Sequence, residues 1–190
     1  MNLILIRHGE CLKEDKDPAL TPRGISQSKL LAKRLAKIPI TKVFVSNLVR
    51  AFQTFEEYHK LAPNIPFERT EQLNEIYRVL VGEPPKDGTA PTREPNDKKR
   101  IELFIRKISS LKNEENIAII AHGNVIRYIL AKFLGSDPKK IGYNLAINPT
   151  SLSLITIEKN KSCVKFINNL DHLADEKFFS KNQGNEDYRA

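Results

Sequence analysis

The sequence predicts an α/β fold: a three-layer α/β/α sandwich around a mostly parallel central sheet. Two observations point there. Short, continuously apolar runs recur along the chain, as expected of strands buried on both faces. Between them lie segments with helical period, and strands alternating with helices build parallel βαβ units.

Leu3–Ile6 is the first such run. Thr21-Pro22 then opens a helix, with Thr as N-cap and Pro at the first helical position. Ile25, Leu31, Leu35 and Ile38 are expected to form its inner stripe and Lys29, Lys33, Arg34 and Lys37 its wet face, until Pro39 stops it. Lys42–Val45 is the second strand. Asn47–Lys60 reads as a helix with Ser46 as a candidate cap and with Pro63 and Pro66 beyond its end. Val81–Asp97 holds four prolines and two glycines and is expected to be an irregular loop, either functional or disordered. Helical spacing resumes at Ile101, Phe104, Ile105, Ile108 and Leu111, with the Lys98-Lys99-Arg100 cluster as its solvated side. Ile117–Ile120 is a third buried strand, followed by a helix carrying Val125, Ile126, Ile129, Leu130 and Phe133. Ser151–Ile157 and Val164–Ile167 read as antiparallel neighbours. The expected organisation is one domain over residues 1–175 and a polar tail over 176–190.

The chain has 190 residues and a formal charge of +8, from 31 Lys+Arg against 23 Asp+Glu. With 40% hydrophobic residues it is not a disordered polyelectrolyte. No apolar run approaches the roughly 18 residues of a membrane span, and the first residues do not read as a signal peptide. Cys11 and Cys163 are too far apart in sequence to suggest a metal or disulfide framework. There is no Trp and no basic–aromatic stacking run, so no nucleic-acid partner is expected. No membrane partner is expected either, and the expected location is cytoplasmic.

Two strands end alike, in Arg7-His8-Gly9 and in Ala121-His122-Gly123. Ligands of open α/β sheets bind beyond the carboxyl ends of the strands at a topological switch point. If the two strands are neighbours, His8 and His122 face one another across that crevice, and the glycines let backbone approach a ligand. Arg50, in the first turn after Ser46, converges there with Arg7. Two guanidiniums suit a phosphoryl group. The helix beginning near Asn124 adds amide donors. Histidines and arginines around an anion suggest transfer through a phosphohistidine, with a carboxylic acid protonating the leaving group. Glu10, Glu75 and Glu83 are the candidates, and spacing does not choose among them. The four histidines show no metal-ligand spacing, so neither metal nor cofactor is expected.

These residues resemble the histidine phosphatase superfamily, the phosphoglycerate mutase-like fold. Arg7-His8-Gly9-Glu10 is similar to its first motif. Leu20-Thr21-Pro22-Arg23-Gly24 with Gln27, Ser46 to Thr54, Leu73-Asn74-Glu75, and Ala121 to Arg127 follow in the family's order. The resemblance implies His8 as phosphorylated nucleophile and Glu75 as proton donor and later base. It implies a phosphate pocket of Arg7, Arg50, His122, Gly123 and Asn124. The implied activity is metal-independent hydrolysis of a phosphomonoester on an anionic small molecule or phosphoprotein. A cofactor-dependent phosphoglycerate mutase is the alternative. Against it stand Cys11-Leu12 after the first motif and few basic residues in Val81–Asp97. A non-catalytic phospho-ligand-binding module is the further alternative. His122 to Tyr128, with Glu83-Pro84-Pro85, is more similar to the mitochondrial protein Ser/Thr phosphatase branch. That branch carries an N-terminal membrane anchor that this sequence does not show.

Overall fold

The computed structural model describes residues 1–13, 16–84, 93–111, 115–142, 145–159 and 161–174. The tail expected over 176–190 and residues 85–92 of the proline-rich loop therefore lie outside the described residues.

Six strands form one sheet: β1 (Asn2–Arg7), β2 (Lys42–Ser46), β3 (Phe67–Thr70), β4 (Asn116–Ala121), β5 (Leu152–Glu158) and β6 (Lys161–Asn169), in the order β3-β2-β4-β1-β5-β6. The pairs β3/β2, β2/β4 and β4/β1 are parallel; β1/β5 and β5/β6 are antiparallel. Helices α1 (Pro22–Leu35), α2 (Val49–His59), α3 (Glu94–Ser109) and α4 (Gly123–Phe133) flank it, with the single turn α5 (Pro138–Ile141) after them. The α/β sandwich expected from the sequence is the observed fold.

The pleat explains the apolar runs. Leu3 and Leu5 point into one core with Ile101, Phe104 and Ile108 of α3 and Ile126 and Ile129 of α4. Ile4 and Ile6 point into the other with Leu31 and Leu35 of α1 and Phe55 of α2. Successive side chains of a strand alternate faces, so a strand covered on both sides must be apolar throughout. Each fully buried aliphatic side chain contributes roughly 1.5–3 kcal/mol of transfer free energy.

Three local expectations change. Ile25 is exposed, and the inner face of α1 is completed by Gly24, Gln27 and Ser28, because this face carries the polar contacts that hold the first motif. The short edge strand β3 is unforeseen; its charged Glu68 and Arg69 hid the pattern, and Lys107 and Phe52 cover them. The irregular segment is shorter than Val81–Asp97. A 3-10 turn runs through Val81, and α3 already starts at Glu94. Pro95 costs little in a first turn, where its missing N–H has no helical partner, and Glu94 and Asp97 complement the dipole there.

Neighbouring β1 and β4 pair in register from Asn2↔Asn116 to Arg7↔Ala121. The chain leaves β1 for α1 on one face and leaves β4 for α4 on the other. That divergence opens a crevice at their carboxyl ends.

Candidate active site

The register puts His8 and His122 side by side, ring centroids 5.1 Å apart and planes tilted by 56°. The Nδ1–H of His8 donates to its neighbour's carbonyl, Gly9 O, at 2.7 Å. A carbonyl can only accept, so this bond fixes the proton on Nδ1 and leaves Nε2 bare. Arg50 Nε–H donates to that bare nitrogen at 3.2 Å. Burial, then Arg7 and Arg50, hold the His8 pKa well below the ordinary imidazole range, so the ring is neutral.

The tautomer of His122 follows from a longer chain. Asn47 N–H donates to Asn74 Oδ1 at 3.1 Å, which identifies that atom as the acceptor. Ser46 Oγ–H therefore donates to it at 2.8 Å. The hydroxyl's lone pairs accept from Leu48 N–H at 3.2 Å and from His122 Nε2–H at 2.8 Å. His122 Nδ1 is then bare, buried and without a partner among the described residues. Burial, then His8 and the arginines, lower its pKa well below the ordinary value. Ser46 is thus a brace for His122 rather than the helix cap expected from the sequence. The cap of α2 comes from a distant residue: both carboxylate oxygens of Asp17 lie 3.0 Å from Val49 N, and Asp17 also meets Arg50 Nη1 at 3.4 Å.

Arg50 is buried between His8 and Asp17. Arg7 Nη1 donates to Ile147 O at 2.6 Å, while its Nε is buried and has no hydrogen-bond partner among the described residues. A Cβ built on Gly123 would lie 4.0 Å from Arg7 Cζ, which places that guanidinium against the first residue of α4. The Asn124 side chain is spent on the protein: its Oδ1 accepts from Arg127 Nη1 at 2.8 Å and its Nδ2 donates to Ile76 O at 3.5 Å. What Gly123 and Asn124 can offer an anion is main-chain N–H at a helix N-terminus. The glycine expectation changes in part. A Cβ on Gly9 would meet Gly24 O at 2.7 Å, so this glycine serves the packing of β1 on α1.

The three carboxylates separate cleanly. Glu10 accepts from Thr21 Oγ1 at 2.8 Å and faces Arg23. Glu83 is buried in ion pairs with Arg78 and Arg127. Glu75 accepts from Ile76 N–H at 3.1 Å and lies within the fields of Arg7, Arg50 and Arg127. Burial nevertheless pushes its pKa up against those cations. Of the three candidates, Glu75 is the one that lies in the fields of both Arg7 and Arg50, the arginines beside His8.

Several supporting residues have no isolated sequence signal. Thr54 Oγ1 accepts from Gly9 N–H and donates to Arg50 O, joining the two motifs at 2.9 and 2.8 Å. Thr150 N–H donates to Arg7 O and His8 O, and its hydroxyl accepts from His172 Nε2–H at 3.2 Å. Burial lowers the His172 pKa to about 4, in line with a structural role. His59 is packed between Phe55 and Phe67. The Cys11 thiol is pushed up by burial despite the nearby arginines. Among the described residues no group of three or more His, Cys, Asp or Glu is arranged to hold a metal ion, and no helix is long and apolar enough to cross a membrane.

The sequence matches the family model of the histidine phosphatase superfamily (branch 1) over residues 3–86 and 82–170. It is 32% identical to the mitochondrial serine/threonine-protein phosphatase Pgam5 of Caenorhabditis elegans, over 90% of this chain and 64% of that protein. It is 35% identical to Pgam5 of Drosophila grimshawi, over 82% of this chain and 58% of that protein. The chain thus spans about three fifths of the length of these curated relatives. Among solved structures it resembles the alpha-ribazole phosphatase of Shigella flexneri, with a TM-score of 0.74 and 24% identity over 90% of this chain and 97% of that one. The mitochondrial placement of the Pgam5 relatives overturns the cytoplasmic location expected from the sequence. The first residues could not carry that expectation, because the alignment covers only part of each relative. With its two histidines, two arginines and flanking carboxyl gathered at the ends of β1 and β4, the chain belongs to the histidine phosphatase superfamily, branch 1.

Proposed function

We propose that the chain is a metal-independent phosphomonoesterase that works through a phosphohistidine on His8. The observation that carries this reading is the His8 tautomer: Nδ1 is tied to Gly9 O, and the bare Nε2 faces the Arg50 guanidinium. A neutral nitrogen held among cations can attack an electrophilic phosphorus whose oxygens those cations hold.

In the first step His8 Nε2 forms the P–N bond as the P–O bond to the leaving group breaks. Arg50 Nε–H moves its hydrogen bond from Nε2 to a phosphoryl oxygen. Arg7, His122 and the main-chain amides of Gly123 and Asn124 hold the remaining oxygens. A dianion beside His122 raises that ring's proton affinity, so Nδ1 can carry the proton it donates. Glu75, which burial biases toward its protonated form, gives its proton to the departing alkoxide. In the second step a water attacks phosphorus, its proton passes to the Glu75 carboxylate, and the P–N bond breaks. Inorganic phosphate leaves and His8 is restored. The names of the curated relatives favour a phosphoserine or phosphothreonine ester as substrate and a mitochondrial location.

A panel of phosphopeptides and small phosphomonoesters, assayed with EDTA, tests this. Phosphate release that His8→Ala abolishes is expected. Full activity in His8→Ala overturns the reading. Interconversion of 3- and 2-phosphoglycerate after priming with a bisphosphoglycerate would instead make the chain a mutase.

A further inference from the structure

The Lys98-Lys99-Arg100 cluster reads from sequence as a solvated helix face, and Lys98 and Lys99 are exposed. Arg100 is not. Its guanidinium turns into the protein and meets four main-chain carbonyls between Glu71 and Glu75. Nη1 donates to Glu71 O at 2.9 Å, Gln72 O at 3.3 Å and Asn74 O at 2.5 Å, and Nη2 donates to Glu75 O at 2.9 Å. Nε and Nη2 also donate to Asp97 Oδ1, at 3.1 and 2.9 Å. The other oxygen of Asp97 accepts from Tyr77 N–H at 2.8 Å. Asp97 is buried although it lies in the first turn of a helix, where a carboxylate is ordinarily solvated.

The segment so held is the one that carries Glu75 and Asn74. It has no ladder of its own: a 3-10 turn ends at Leu73, and residues 74–77 form neither helix nor strand. Main-chain carbonyls in such a segment need outside donors. Only a planar guanidinium can reach this many at fixed angles, and lysine cannot replace it in that respect. Arg100 grips the carbonyls before and at Glu75, while Asp97 grips the amide two residues after it. The backbone of Glu75 is thereby fixed from both sides to the rigid helix α3.

We propose that Arg100 and Asp97 are positioning residues that set the place of the Glu75 carboxyl for proton transfer to the leaving group. This rests on the reading of Glu75 as the general acid. Neither residue touches the phosphoryl group; they act through the backbone that Glu75 stands on. Misplacement of an acid matters in proportion to how much the leaving group needs its proton.

The test is a leaving-group series on the full chain, from p-nitrophenyl phosphate through phenyl phosphate to an alkyl phosphate. It compares wild type, Arg100→Gln, Arg100→Lys, Asp97→Asn and Glu75→Gln. For Arg100→Gln we expect kcat on the alkyl ester to fall about tenfold or more, kcat on p-nitrophenyl phosphate to fall less than about threefold, and KM to stay within about threefold. Arg100→Lys should not restore the alkyl ester, since charge alone cannot hold four carbonyls. If Arg100→Gln does not fold, Asp97→Asn carries the test, because it removes one charge and keeps the shape; the same pattern is expected. Equal loss on every leaving group, or no loss, overturns the proposal. A Glu75→Gln variant without leaving-group dependence instead overturns the assignment of the acid, a distinct result.

Discussion

Replacing Ser46 by Ala removes one hydroxyl that makes three hydrogen bonds: from His122 Nε2–H, from Leu48 N–H, and to Asn74 Oδ1. Ser46 and His122 are both fully buried, so water cannot replace the lost acceptor without a cavity larger than one missing oxygen leaves. A buried donor left unsatisfied costs about 1–3 kcal/mol. Spread over a domain of this size, where 1 kcal/mol moves Tm by roughly 2–4 °C, the variant should melt about 2–12 °C lower. The same loss frees the His122 ring to turn, which takes Nδ1 out of line with the phosphoryl oxygens it is proposed to hold. If the whole loss appears in the transition state, kcat/KM falls by roughly 5- to 150-fold, at tenfold per 1.36 kcal/mol. The assays are calorimetric melting and steady-state hydrolysis of p-nitrophenyl phosphate. A variant whose Tm and kcat/KM both match the wild type within about twofold in rate refutes the chain of bonds from Asn47 to His122.

Other outcomes follow from the same geometry. Because burial raises the Glu75 pKa, the acid is in its working form below that pKa, so kcat/KM should fall as pH rises through it. Glu75→Gln should remove this alkaline limb while lowering the rate. The depressed pKa of His8 keeps the nucleophile neutral to well below the ordinary imidazole range, so the acid limb should lie lower than a free histidine would give. Stability follows the same directions. The raised Glu75 pKa means its contribution is fully present below the unfolded pKa and lost as pH rises through the folded one. The lowered pKa values of His8 and His122 mean their contribution is present above the ordinary imidazole pKa and lost as pH falls through the folded ones. Asp17→Ala should cost about 1 kcal/mol of stability through loss of the α2 cap, and should lower kcat/KM by releasing Arg50. Unchanged melting in that variant would show that the half-exposed Asp17 is solvated rather than capping.

Much of the fold was legible because burial on both faces forces a strand to be apolar throughout. Leu3–Ile6 and Ile117–Ile120 announce themselves for that reason, and their shared His-Gly ending marked the crevice. Edge strand β3 did not, since its exposed face carries charge. At the site, histidines and arginines were visible as residue types that suit an anion. The carboxyl was not, because Glu10, Glu75 and Glu83 differ only in what surrounds them in space. Asp17 and Asn74 were unreadable for the same reason, and Thr54 was visible only as the end of a resembling motif, without its role: each acts on a partner in another element. Arg100 was misread because a helical pattern shows which face is apolar, and says nothing of a polar side chain that folds back on a neighbouring loop.

Phosphoryl transfer to His8 is the central claim, and rapid quenching tests it most directly. Enzyme mixed with a substrate labelled in its phosphoryl group should be stopped within one turnover and the protein digested. The account predicts a label that is stable in base and labile in acid, carried by the peptide containing His8, and absent from His8→Ala. Label on another residue, or full hydrolysis in EDTA with no labelled protein at any time, would contradict it.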